Sequence, residues 1–470
     1  MRPSESSAKP ARPRVALVSV RFTLFDPQMG PDFPERMRRH AARSAALLRE
    51  AFDVIELPLI ESELDAAQVA DRLAAENPEA IVFAPAMAAP PSFAEIALSK
   101  TTAPLVIWNA PAIRRLPEDL HQDEATVHST SVGAVMFGNV LVRLGRHASV
   151  VTAAHEDPFA VDRLRRVVRA AAAAGSLRGA TVLRIGDPIP GYRDVEASAA
   201  ELAALGLTEV RIERDRWEAI LAAVDDQAAA TLLAACARSW HGDPGPAAIW
   251  SARVAVALER LLTEHGAVAG TVNCHGPWFR RNPTVGVTAC LGVACQTAAG
   301  RPVSCTGDMP TAIALYLARR IAGAALYCEC YATEIDTGLV LVAAGGEGDP
   351  AWAEPPGAVR LEPNTHYPGE RGPGTAVSFA LRRGPATLLS LSPARDAWRL
   401  AWAPGEVVET RYPAMGGPNG MFRFESGPGD EALSRWICSG ATHHNALSPG
   451  HLDLEVEALA GALGFIAVRV

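Results

Sequence analysis

The side chains of this sequence best placed to do chemistry are Asp308, in Cys305-Thr306-Gly307-Asp308, and Glu329, in Leu326-Tyr327-Cys328-Glu329-Cys330-Tyr331. With them go the adjacent His443 and His444, in Gly440-Ala441-Thr442-His443-His444-Asn445-Ala446-Leu447. Carboxylates and imidazoles move protons near neutral pH, and the same mixture of oxygen and nitrogen donors suits a divalent ion such as Mn²⁺. Asp308 directly precedes a helical run, Met309 to Ile321, so it reads equally as a plain helix N-cap. Glu329 has apolar neighbours, and a carboxylate is costly to bury unless something pairs with it; the alternative is a solvated edge strand. Consecutive side chains of an extended segment face opposite ways, so at most one of His443 and His444 serves a given site. Spacing alone does not say whether these clusters meet.

The elements that must position them alternate. Val15–Val20 reads as a strand, followed by a helix over about Glu35 to Phe52, a strand at Val54–Leu57, a helix at Ala66–Glu76, and strands at Ala80–Ala84 and Pro104–Trp108. Such alternation predicts a parallel, doubly wound sheet, with ligands expected at the carboxyl ends of its strands. The pattern restarts after the Ala-rich helix Val161–Ala174. A strand at Thr181–Gly186 is followed by a helix near Val195–Leu205, a strand at Val210–Ile212, helices over Trp217–Ala237 and Ala247–Glu264, and a strand at Val268–Asn273. From about Ala325, short strands punctuated by Gly and Pro (Leu339–Ala343, Thr375–Leu381, Thr387–Leu391, Trp398–Ala403, Glu406–Glu409) predict an antiparallel domain. A helix near Leu452–Leu463 and a strand at Phe465–Val470 close the chain. The fold class expected is α/β: two Rossmann-like doubly wound domains, 14–178 and 179–322, then a β-rich C-terminal domain, 323–470, behind a disordered tail, 1–13.

Bulk properties narrow the function. A net charge of −8, with no Lys/Arg cluster interleaved with aromatics, gives no reason to expect a nucleic-acid partner. No apolar run reaches the roughly 18 residues of a membrane span, and no apolar core follows the basic, Pro/Ser-rich start as a signal peptide requires. The eight cysteines lie mostly in apolar runs and lack zinc spacing, which reads as buried thiols in a reducing, cytoplasmic compartment. Gly345-Gly346-Glu347-Gly348 reads as a turn-rich loop and not a phosphate loop, since no Lys-Ser/Thr follows it.

The run Val303-Ser304-Cys305-Thr306-Gly307-Asp308 resembles the "ACEGD" segment of the L-fucose/L-arabinose isomerase-like superfamily. Upstream, Asn273–Phe279 and Thr288–Leu291 are similar to that family's "CWP…PCLA" stretch. Downstream, Gly384–Leu388, Gly405–Val408, Gly416-Gly417-Pro418 and the paired histidines follow in the family's order. The resemblance implies two Rossmann-like domains and a β-rich C-terminal domain. It also implies ene-diol aldose–ketose isomerisation with Mn²⁺ or another divalent ion, a small-molecule sugar as partner, and a homo-oligomer, trimer or hexamer. Carried over position by position, it assigns catalytic roles to Glu329, Asp308 and Thr306, and metal ligation to Glu329 and one of His443 and His444. His128 falls where the family places polar residues that reach a neighbouring subunit's pocket; with His275 and Trp278 it makes a candidate sugar-binding set.

The match has gaps. Thr306 stands where the family has its first acid, and Ala344 or its neighbourhood lacks the expected third-ligand histidine, so Asp308, Glu334 or Asp336 would have to substitute. Losing one carboxylate of a proton-shuttling pair typically removes a factor of about 10² to 10⁴ in rate. The leading expectation is a sugar isomerase-like protein. The alternatives are the same scaffold running aldol cleavage or epimerisation, and a non-catalytic sugar-binding relative.

Overall fold

A computed structural model describes residues 12–470, so all of the expected tail except Arg12 and Pro13 lies outside the described residues. The chain divides into two compact units, Ala11–Ser176 with Leu454–Gly464, and Leu177–Asp453 with Phe465–Val470. The first contains a five-stranded sheet, all parallel, in the order Asp53–Glu56, Arg14–Val18, Ala80–Phe83, Leu105–Asn109, Ala148–Thr152. Its central strands are buried on both faces, as a parallel sheet covered by helices must be. The helix at the end of the chain, Asp453–Leu463, contributes most of its length to this unit, where Arg166 grips Glu455 with two hydrogen bonds of 2.5 and 2.7 Å.

The second unit carries the site. It opens with a four-stranded parallel sheet in the order Val303–Ser304, Ala267–Val272, Thr181–Ile185, Thr208–Ile212. Next come antiparallel strands at Leu326–Glu334, Leu339–Ala343, Gly384–Pro393, Trp398–Glu409, Asn419–Phe424 and His444–Pro449. Their pairings form a closed ring, because Gly384–Pro393 pairs with both His444–Pro449 and Trp398–Glu409. Closure leaves no open edge among these six strands. The barrel is filled by residues such as Leu326, Cys328, Val342, Leu388, Ala403, Phe422 and Leu447. The architecture is therefore mixed α/β, with two Rossmann-like parallel sheets and a β-rich C-terminal region.

Local chemistry accounts for two departures from the sequence reading. The helix expected over Trp217–Ala237 is two, Arg214–Ala222 and Asp226–Ser239, because Asp225 caps the second by accepting from Ala228 N at 2.7 Å. The two strands expected at Trp398–Ala403 and Glu406–Glu409 are one. Pro404 and Gly405 sit within the ladder opposite Thr387 and Ala386, and the break is only a bulge between Val407 and Glu409. Among the described residues no single helix is long and apolar enough to cross a membrane.

Candidate functional site

Antiparallel register brings the first pair together. Leu326–Glu334 pairs with His444–Pro449 so that Glu329 lies directly opposite His444. Opposed residues of a ladder project to the same face, and His444 Nε2 stands 3.8 Å from Glu329 Oε1. The same geometry chooses between the two histidines. His443 turns away to Asp194, whose Oδ2 takes the ring Nδ1 at 2.5 Å and the backbone N at 3.1 Å.

The loop before the helix Met309–Ala322 supplies the next group. Asp308 is fully buried and is the N-cap, accepting from Thr311 N at 2.8 Å and from Thr311 Oγ1 at 2.7 Å. The cap reading and the site reading both hold, because the same carboxylate accepts from His444 Nδ1 at 2.8 Å. A carboxylate only accepts, so in the neutral ring the Nδ1 proton is committed to Asp308 and the lone pair is left on Nε2, towards Glu329. The helix that Asp308 caps packs against the barrel strands Gly384–Pro393 and His444–Pro449, fixing the loop relative to the histidine.

Thr306 completes this corner under strain. Its φ is +59°, a left-handed backbone that a β-branched residue rarely adopts, and Gly307 follows at +83°. A Cβ on Gly307 would lie 2.6 Å from Pro188 N, so only glycine fits there. Arg184, itself 2 % exposed, donates from NH1 to Gly307 O at 2.8 Å while its Nε pairs with Glu209 at 2.5 Å, and this clamp holds the turn. The Thr306 hydroxyl donates to Cys305 O and lies 3.5 Å from His444 Nδ1.

Glu329 and Thr306 line a narrow, partly open recess of about 30 Å³. The walls include the thiols of Cys274, Cys290 and Cys305, the rings of Tyr327, Tyr331 and Tyr367, and His275. Burial pushes the Tyr327 hydroxyl and the Cys290 thiol well above their usual ranges; Cys305 is pushed up by its hydrogen bond with Cys274 and by burial. His275 is held down at about 4 by burial and by the charges of Arg280 and His444, so its ring is neutral at physiological pH.

Glu347 also lines the recess, and the sequence reading missed it. It is 5 % exposed, and burial, assisted by the negative charge of Glu329, raises it to about 6. Cys290 Sγ lies 3.8 Å from its Oε2. Its place just past the strand Leu339–Ala343, whose last residue pairs with Glu329, comes from the register; the sequence shows only an acid flanked by glycines. Gly346, at φ +124° and packed on Asn364 and Ala376, makes the backbone path that turns Glu347 inward.

The remaining candidates lie elsewhere. Trp278 packs on Gly186, and its carbonyl accepts from Trp217 Nε1; it does not line the recess. Glu334 is turned to Arg411, and Asp336 is exposed. His128 belongs to the other unit, ending the helix Gln122–Val127 with its ring 3.8 Å from Glu124. The expected divalent ion needs converging donors, and Glu329 and His444 Nε2 supply two. With Thr306 in place of an acid and no histidine near Ala344, no set of three His, Cys, Asp or Glu side chains converges among the described residues. The residues present do not fit a Mn²⁺ site with three protein ligands.

Residues 324–465 match the family model of the L-arabinose isomerase C-terminal domain. The match includes Glu329, Glu347 and His444, while the turn at Thr306 and Asp308 lies before it. The search of curated proteins gave no match. Residues 324–465 are thus similar to the L-arabinose isomerase C-terminal domain, which supports a relationship of this region to the L-fucose/L-arabinose isomerase-like superfamily.

Proposed function

We infer that the protein interconverts an aldose and a ketose of a sugar derivative by proton transfer within the recess. The observation that carries this reading is that Glu329 and Glu347 line one recess, with His444, oriented by Asp308, 3.8 Å from Glu329. Aldose–ketose isomerisation removes a proton from the carbon beside a carbonyl, forms an ene-diol and returns the proton to the neighbouring carbon. It needs a base at carbon and an acid at the carbonyl oxygen. Glu329, the more exposed carboxylate, is the base. Glu347, raised to about 6, retains its proton in part of the population near neutral pH and is the acid. His444 Nε2 takes up or returns the proton at Glu329, and Asp308 stabilises the imidazolium that results.

Thr306 in place of the acid that the resemblance expects favours a second reading, sugar binding without turnover. An assay separates them. Purified protein is incubated with a panel of aldoses, with and without chelator, and ketose formation is followed. Turnover that falls about 10²-fold or more in Glu329→Gln and Glu347→Gln supports the isomerase. Binding of an aldose without any ketose formed supports the silent relative.

A further inference from the structure

Among the described residues, Arg280 carries a buried Nε with no acceptor, close to a wall of the recess. The backbone of Arg280 is fixed on both sides: its N donates to Cys274 O at 3.3 Å, and its O accepts from Glu370 N at 3.0 Å. Its guanidinium carbon stands 5.3 Å from the centroid of the Tyr367 ring. Its Nε is buried with no hydrogen-bond partner, and no carboxylate pairs with it among the described residues. Other arginines of this unit are engaged: Arg184 with Glu209, Arg319 with Asp349, and Arg211 with Glu209 and Asp187. A buried donor without an acceptor is unfavourable and uncommon, so a fixed one at the edge of a cavity is suited to an acceptor that arrives with a ligand.

The ring under Arg280 and the histidine packed on it are walls of the recess. Tyr367 and His275 meet edge to face at 5.0 Å, and both line the cavity that holds Glu329 and Glu347. The charge of Arg280 is felt on both. After burial it is the next influence lowering His275, and on Tyr367 it opposes burial, Glu329 and Glu347, all of which raise the hydroxyl. Tyr367 thus shares the recess with Glu329 and Glu347 and carries Arg280 against its ring.

We propose that Arg280 binds an anionic group on the substrate, so that the site takes a sugar carrying a carboxylate or a phosphate and discriminates against neutral sugars. The planar guanidinium matches either group with two parallel hydrogen bonds. Glu329 and Glu347 repel an anion at the other end, which leaves a charged sugar one orientation, reacting carbons at the carboxylates and anionic group at Arg280. The inference rests on the sugar reading for the identity of the ligand, but not on turnover.

The test is calorimetric titration of the full chain with D-glucose, D-glucuronate and D-glucose 6-phosphate, at low and at high salt. At least one anionic sugar is expected to bind about ten-fold or more tightly than glucose, with the advantage shrinking as salt screens the contact. A preference for glucuronate identifies a carboxylate, and one for glucose 6-phosphate a phosphate ester. Arg280→Ala is expected to remove the advantage, and Arg280→Lys to keep part of it, since the charge remains but the fork is lost. If neither anion binds more tightly than glucose to the unmodified protein, including the case in which none of the three binds, the proposal is overturned. An Arg280-dependent anion preference with no ketose from any aldose leaves this proposal standing and removes the isomerase reading. Turnover of neutral aldoses without anion preference does the reverse.

Discussion

Two histidines adjacent in sequence sit in opposite regions of the same strand end, and each has its own aspartate. His444 and Asp308 are buried, 1 % and 0 % exposed, whereas the His443 and Asp194 side chains retain 38 % and 43 % of their exposure. In water an ion pair is worth little, because solvent already satisfies both partners; out of water the same pair dictates tautomer and direction. The comparison teaches that pairing does not make a histidine functional. What matters is where the second nitrogen is left pointing, and only on His444 does it face a carboxylate in a recess.

Asp308→Asn is the largest predicted break. Asparagine caps a helix about as well as aspartate, so Met309–Ala322 should persist. Its amide, however, can donate to Nδ1 and force the proton onto Nε2. Turnover of whichever aldose the panel identifies should fall by about 10² to 10⁴, with unchanged circular dichroism. An unaltered rate would erase the distinction between the two histidines.

Glu347→Gln comes next and is read in stability. A carboxylate raised from 4.5 to about 6 by folding is penalised whenever it is ionised. The penalty is absent below pH 4.5, grows as pH rises through about 6, and is complete above that, at about 2 kcal/mol. Urea midpoints should therefore show the variant more stable than the parent at pH 7.5, with the gain vanishing towards pH 4.5. A difference that does not vary with pH would place the Glu347 carboxyl in contact with water. Thr306→Gly should add about 1 kcal/mol by relieving the left-handed threonine, less the entropy glycine brings to the unfolded chain. A loss of stability would mean that the Thr306 hydroxyl bonds outweigh the strain. His443→Ala, on the exposed side, should cost less than about 1 kcal/mol and leave turnover within roughly two-fold. A large loss of rate there would show that the solvent-facing pair reaches the chemistry after all.

The fold class was legible because strand–helix alternation and the later change to short, punctuated strands are patterns of composition and period. The site was legible in residue type but not in partnership. That His444 rather than His443 faces Glu329 depends on a ladder running from Leu326↔Leu447 to Glu329↔His444, and register between distant strands is not written locally. Asp308 announced itself as a cap and concealed its second partner for the same reason. Glu347 was hidden by its glycines, which look like a solvated loop until Cys290, Asn364 and Ala376 close around them. Arg280 is legible only as a charge; its lack of an acceptor is a property of the packed loops around it.

The clasp between Arg166 and Glu455 has a consequence for the order of assembly. The two residues are 289 positions apart, yet both belong to the unit built on the first parallel sheet. A chain synthesised from its N-terminus makes every strand of that sheet early, then must make Leu177–Asp453 of the second unit before the helix that completes the first one exists. On the ribosome, the sheet thus waits with one flank provisional. A fragment ending at Ser176 carries the same defect permanently, because it lacks Leu454–Gly464, the segment that completes the unit begun first.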